Sequence, residues 1–198
     1  MQPEQYHTID SICSAEFKDR GSRFIAIAIP VETIEDIQHQ ITLVKNQHPK
    51  AVHHCYAYRL GIDKNNWRAN DDGEPSGSAG KPILGQIDSF GLTQLLIIVV
   101  RYFGGTLLGV SGLINAYKTS SKMVLEQAQI VHRTLLTHYY IQTSYKSQFA
   151  IIKWLKQKNI LFKVQNNIDM VTMKISIPFN LAELFEAEAG DFTIIEKR

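Results

Sequence analysis

Leu95-Leu96-Ile97-Ile98-Val99-Val100-Arg101-Tyr102-Phe103-Gly104-Gly105 is the stretch around which the chain organises itself. Six apolar residues in a row, without polar alternation, read as a strand covered on both faces, so structure must lie above and below it. Gly104-Gly105-Thr106-Leu107-Leu108-Gly109-Val110-Ser111-Gly112 continues as a glycine-rich loop. Beyond it, Leu113, Ala116, Tyr117, Met123, Val124 and Ala128 recur at helical spacing and predict a helix over roughly Gly112 to Gln129. Toward the N-terminus, Val52 to Leu60 predicts a strand with Cys55 and Ala57 on one face and Tyr56 and Tyr58 on the other. Phe24 to Ile29 predicts another, ended by Pro30, which has no N–H for a ladder. Ile34, Ile37, Ile41 and Val44 predict an amphipathic helix that starts at Glu32 or Thr33. Gly61 to Pro82, rich in Asn, Asp, Gly, Ser and Pro, reads as a long irregular connection, and such loops often carry function.

After His132-Arg133 the pattern restarts. Tyr139 to Thr143 predicts a strand, and Phe149, Ile152, Trp154 and Leu155 a short helix. Ile160 to Val164 and Val171 to Ile177 predict a hairpin about Asn166-Asn167, because Asn tolerates left-handed backbone. Leu181 to Ala189 then reads as helix and Phe192 to Ile195 as strand. Strand, helix, strand, strand, helix, strand is the split β-α-β order of ferredoxin-like domains. The fold class is therefore α+β, with an N-terminal domain over 1–134 and a C-terminal domain over 135–198.

A chain of 198 residues has room for one large or two compact domains. At 44% hydrophobic and 20% charged residues it falls outside the composition of disordered chains. The run Leu95 to Val100 is too short to cross a bilayer, so no membrane partner is expected. Met1 to Ser14 carries Glu4, His7 and Asp10 and no basic segment leading into an apolar one, so it does not read as a secretory signal, and the cytoplasm is the expected compartment. Two cysteines, Cys13 and Cys55, support neither a disulfide framework nor a cysteine-only zinc site. A net charge of +2 does not by itself specify nucleic-acid binding, although the small basic excess lies in the C-terminal third.

Asp71-Asp72-Gly73-Glu74-Pro75-Ser76-Gly77-Ser78-Ala79-Gly80-Lys81-Pro82 concentrates the chemistry. Three carboxylates in four residues repel one another unless a cation or donors compensate them. They serve either a hard metal such as magnesium, or a structural loop whose carboxylates cap backbone N–H groups and pair with Arg68, Lys81 or Arg101. Ser76 as a nucleophile needs a base, for which His53 and His54 are the candidates. Because they are adjacent on a strand, one at most faces a given cleft. No Gly-x-Ser-x-Gly elbow surrounds Ser76. The loop from Gly104 to Gly112 suits an anion, with Lys81, Arg101, Tyr102, Gly104, Gly105 and Lys118 as candidate ligand- or phosphate-binding residues. It is neither a Walker loop nor Gly-x-Gly-x-x-Gly. Lys153, Lys156, Lys158 and Lys163, with Trp154 nearby, are the candidate nucleic-acid-binding residues, although their spacing does not put all of them on one helix face.

These residues resemble the YigZ/IMPACT family. The resemblance rests on Ala51 to Arg59, on Asp71 to Pro82, and on Arg101 to Gly105 continuing through Leu108-Gly109, Gly112-Leu113 and Ala116-Tyr117. It implies an N-terminal domain similar to the second domain of ribosomal protein S5 and to domain IV of elongation factor G. It further implies a ferredoxin-like C-terminal domain similar to domain V of that factor. Asn115 stands where the family usually has Arg, Ser111 where Gly is common, and Ser78 where Thr is usual. The expected function is a cytoplasmic RNA- or ribosome-associated protein that modulates translation or stress response. The alternative is a hydrolase or other enzyme acting on phosphate esters, with its site between the Asp71 to Lys81 and Gly104 to Gly112 loops. There His53, Asp71, Asp72, Glu74 and Ser76 are the candidate catalytic residues. No metal or other cofactor is assigned, and the partner expected is RNA or the ribosome.

Overall fold

A computed structural model describes residues 5–63 and 65–197; Glu4 of the N-terminal segment lies outside them. The protein is a mixed α/β chain that divides into two compact units, Tyr6–Arg133 and the residues from Thr134 onward.

The N-terminal unit is built on five antiparallel strands in the order β2 (Cys13–Asp19), β3 (Ser22–Pro30), β6 (Leu95–Tyr102), β4 (His53–Leu60) and β5 (Asn66–Asn70). The apolar run from Leu95 forms the central strand. Leu95, Ile97 and Val99 face α2 (Gly80–Ser89) and α3 (Gly109–Gln127), packing with Ile83, Ile87, Leu113 and Tyr117. Leu96, Ile98 and Val100 face the other way, onto Ile37 and Val44 of α1 (Ile34–Gln47). All six are fully buried, each stabilising by roughly 1.5–3 kcal/mol relative to exposure. Of Glu32 and Thr33, the threonine is the residue that caps α1. Its hydroxyl accepts the Asp36 N–H at 3.0 Å, and the Asp36 carboxylate accepts the Thr33 N–H at 3.0 Å. A two-stranded sheet joins β1 (Gln5–Ile9) to β7 (Ile130–Thr134).

The structure departs from the sequence reading between Gly61 and Ser89. Asn66–Asn70 is an edge strand, with Trp67 half exposed, rather than irregular chain. Helix α2 starts before Pro82, which lies in the first turn, where a missing N–H breaks no helical hydrogen bond. Helix α3 starts at Gly109, whose φ of 71° makes the turn from loop into helix.

In the C-terminal unit the elements follow in the order β8 (Leu136–Thr143), α4 (Gln148–Gln157), β9 (Phe162–Asn166), β10 (Val171–Pro178), α5 (Ala182–Glu188) and β11 (Thr193–Lys197). The antiparallel sheet runs β11-β8-β10-β9. Tyr139, Ile141, Met173 and Ile175 on one sheet face pack against Ile151, Trp154 and Leu155 of α4 and Phe185 of α5. Phe149 is 70% exposed, because the buried stripe of α4 follows the i, i+3, i+4 set from Ile151 and leaves Phe149 outside it. Among the described residues no helix is long and apolar enough to cross a membrane.

Candidate functional site

The acidic turn after β5 is held together by its own backbone. The Asp71 carboxylate accepts the N–H groups of Gly77 (2.8 Å), Ala79 (3.0 Å) and Gly80 (2.8 Å). It thereby caps the N-terminus of α2, whose N-cap residue Ala79 has no side-chain acceptor of its own. Burial pushes the Asp71 carboxyl up, but the three N–H donors and Lys81 outweigh it and hold the group below the usual aspartate range. Asp72, at φ 42°, turns its carboxylate the other way, to the His54 N–H at 2.6 Å and Lys45 at 3.5 Å. Glu74 takes a third direction, into the interior. These three carboxylates therefore do not converge, and among the described residues no group of three His, Cys, Asp or Glu side chains is placed to hold a metal ion.

Glu74 is the centre of a buried network. Its Oε1 accepts from Arg101 Nη1 at 2.6 Å and from the Tyr117 hydroxyl at 2.7 Å. Cys55 Sγ lies 3.3 Å from the Tyr117 hydroxyl oxygen and donates to the Asp71 carbonyl at 3.0 Å. Burial, only partly offset by the Tyr117 contact, pushes the Cys55 thiol up to about 12, so it is not a nucleophile at neutral pH. The Arg101 guanidinium lies 5.5 Å from the Phe24 ring and 5.7 Å from that of Phe103.

Sheet register brings the histidine in. His53 and Arg101 are direct partners across β4 and β6, on the face that carries Cys55 and Val99. His53 Nδ1 lies 2.7 Å from the Asp72 carbonyl oxygen, and Nε2 lies 3.9 Å from Glu74 Oε2. His54 faces the α1 side, with its Nε2 3.2 Å from the His48 carbonyl; burial lowers its pKa below the ordinary histidine value. A cleft of about 460 Å³ opens beside His53, Glu74 and Arg101, walled by Pro75 and by Phe103, Leu107, Leu108 and Val110. The acidic turn and the glycine-rich loop thus meet at one cleft.

The other candidates are placed elsewhere. Ser76 is exposed and makes no hydrogen bond, to His53 or to any other described residue. Tyr102 lies on the opposite face of β6, its hydroxyl 2.9 Å from His48 Nδ1. The Gly104 N–H donates to Ser22 Oγ at 3.1 Å, and a Cβ there would sit 1.9 Å from the Gly21 carbonyl carbon, so this glycine serves a close backbone approach rather than an anion. Gly105 is exposed at φ 87°. Lys81 lies exposed beside the turn, and Lys118, exposed on α3, is not among the residues lining the cleft. The phosphate-binding set is not assembled as a set.

Sequence reasoning missed Tyr117 and Cys55 as members of the network, and the apolar wall. Tyr117 was legible only as a helix-core position, although a buried tyrosine hydroxyl requires a polar partner.

In the C-terminal unit the lysine cluster divides. Lys153 and Lys156 are exposed on α4, and the Lys158 ammonium lies 5.9 Å from the Trp154 ring. Lys163 projects from β9 on the opposite sheet face, the one that α4 and α5 leave open, directly across from Lys174.

A two-unit α/β protein whose sheet carries a His and an Arg that meet a Glu from the adjoining turn is the class these observations define. The sequence matches the Impact N-terminal domain family over residues 20–125. It is 33% identical over 176 residues to the IMPACT family member YigZ of Escherichia coli (strain K12), covering 88% of this chain and 86% of that protein. It is 36% identical over 158 residues to the IMPACT family member YvyE of Bacillus subtilis (strain 168), covering 80% and 73%. A crystal structure described as that of a hypothetical protein is similar with a TM-score of 0.75 at 29% identity, over 97% of each chain. The chain belongs to the IMPACT family.

Proposed function

We propose that this protein is an RNA- or ribosome-associated factor that modulates translation or stress response in the cytoplasm, and that RNA lies on the open sheet face of its C-terminal unit. The observation that carries the reading is a pair of facing lysines beside an aromatic ring. Lys163 and Lys174 are cross-strand partners, neither makes an ion pair among the described residues, and the Lys174 ammonium lies 5.7 Å from the Tyr140 ring. Like charges placed opposite each other are unfavourable until an anion joins them. A groove of about 1100 Å³ passes over these residues, His138 and Glu196. Phosphates between the lysines and a base stacked on Tyr140 would satisfy it, the stack contributing about 1–3 kcal/mol. The strand order supports a ferredoxin-like fold over 135–198. The N-terminal unit, over 1–134, is read as similar to the second domain of ribosomal protein S5.

Fluorescence anisotropy of labelled single-stranded RNA with the full chain tests the reading. Affinity is expected to fall with salt, and the double variant Lys163→Gln/Lys174→Gln to flatten the log–log slope by about 0.7 per lysine. Tyr140→Ala should weaken binding, while Lys153→Gln/Lys156→Gln should leave it unchanged. No salt-sensitive affinity for RNA or ribosomes overturns the reading.

A further inference from the structure

We infer that the cleft of the N-terminal unit is a binding site for a small amphipathic molecule with a hydrogen-bond-donating head, an amine donating to both His53 Nε2 and Glu74 Oε2 and a hydroxyl, with its single hydrogen, to one of them. This inference is independent of the RNA reading.

The neighbours of His53 fix its tautomer. A backbone carbonyl only accepts, so the 2.7 Å contact with the Asp72 oxygen places a hydrogen on Nδ1. In the neutral ring Nε2 is then an acceptor. Opposite it, Glu74 Oε1 already receives Arg101 and Tyr117, whereas Oε2 has no hydrogen bond among the described residues and faces Nε2 at 3.9 Å. Two acceptors therefore confront each other across a gap too long for a direct hydrogen bond and short enough for one donor atom to touch both. Both residues line the cleft, so the two acceptors are open to a molecule that enters it.

The rest of the cleft specifies the body of the ligand. Phe103, Leu107 and Val110 are large apolar groups left 47%, 82% and 54% exposed around the polar pair. A neighbouring apolar body removes them from water and lowers the dielectric around the head. The same geometry disfavours an anionic head. The Arg101 charge is cancelled by Glu74, and the two free acceptors repel a carboxylate or phosphate oxygen. The site thus differs in kind from the anion site expected of the glycine-rich loop.

The test is protein-observed NMR of the full chain at about pH 8, above the ordinary histidine pKa, with three probes that share a ring: benzylamine, benzyl alcohol and benzoate. Benzylamine, or benzylamine and benzyl alcohol together, should shift the resonances of His53, Leu108 and Leu113, with benzoate at least about tenfold weaker. Shifts by the amine alone assign an ammonium head; shifts by both assign a neutral donor as sufficient. His53→Leu should erase the preference over benzoate, and Val110→Trp, which fills the apolar wall, should remove binding of every probe. Benzoate binding as tightly as the amine, shifts mapping elsewhere, or no shift with any probe at the limit of solubility overturns the proposal. So does a long-range nitrogen spectrum that places the His53 hydrogen on Nε2, or on both nitrogens, at this pH.

Discussion

The acidic turn of the N-terminal unit and the open sheet of the C-terminal unit hold their charges in opposite ways. In the turn, Asp71, Asp72 and Glu74 each have a separate, dedicated set of partners. On the sheet, Lys163 and Lys174 face each other without a carboxylate partner among the described residues. The first arrangement fixes a conformation, since leaving any of those groups unmatched is costly. The second contributes little to folding and leaves its charges available to an outside anion. Density of charged residues along the chain is therefore a poor guide to where an anion binds; what distinguishes the two regions is whether the charges are already answered.

The largest effect expected from this contrast is at Glu74. Replacing it by Leu strands the Arg101 guanidinium in the interior and should destabilise by about 3–5 kcal/mol in urea denaturation. Adding Arg101→Met should recover most of that loss; a single-variant cost no larger than that of a surface change would contradict the contrast. Asp71→Asn removes the charge from the cap of α2 and, discounted for partial exposure, should cost about 1 kcal/mol near neutral pH. The folded Asp71 value lies below its unfolded value, so its contribution is present above the ordinary aspartate range and is lost as pH falls through the folded value. The gap between wild type and Asp71→Asn should accordingly close below about pH 4, which a pH series of denaturation curves reads directly. Lys174→Gln should have the smallest effect on stability, within about 0.5 kcal/mol. A loss as large as that at Asp71 would place the sheet lysines among the structural groups.

Much of the scaffold was legible from pattern. The unbroken apolar run at Leu95 announced a strand between two layers, and Thr33 preceded a clear helical stripe. The hairpin lies where Asn166-Asn167 placed it, with the Asn167 N–H donating to the Met170 carbonyl at 2.9 Å, although neither asparagine takes the left-handed conformation that suggested the turn. Helix α2 and strand β5 escaped because their signals are weak locally. Asn66–Asn70 has little apolar alternation, and the cap of α2 is supplied by Asp71, nine residues before Gly80. Gly80 is constrained by packing as well: a Cβ there would meet the Asn70 nitrogen at 2.5 Å, a clash between chain segments that no single segment reveals.

The site divides along the same line. His53, Glu74 and Arg101 were identifiable as candidates by residue type and position near loops, because buried or clustered charge needs compensation wherever it lies. Their selection over Ser76, Tyr102, Gly104 and Lys118 came from the register of β4 against β6 and from the direction each side chain takes. The sequence alone determined the two-unit α/β plan, since hydrophobic periodicity is a local property of the chain. Only the tertiary structure decided which acceptors remain open and which lysines share a face, because hydrogen-bond satisfaction depends on distances of a few ångströms between residues far apart in sequence.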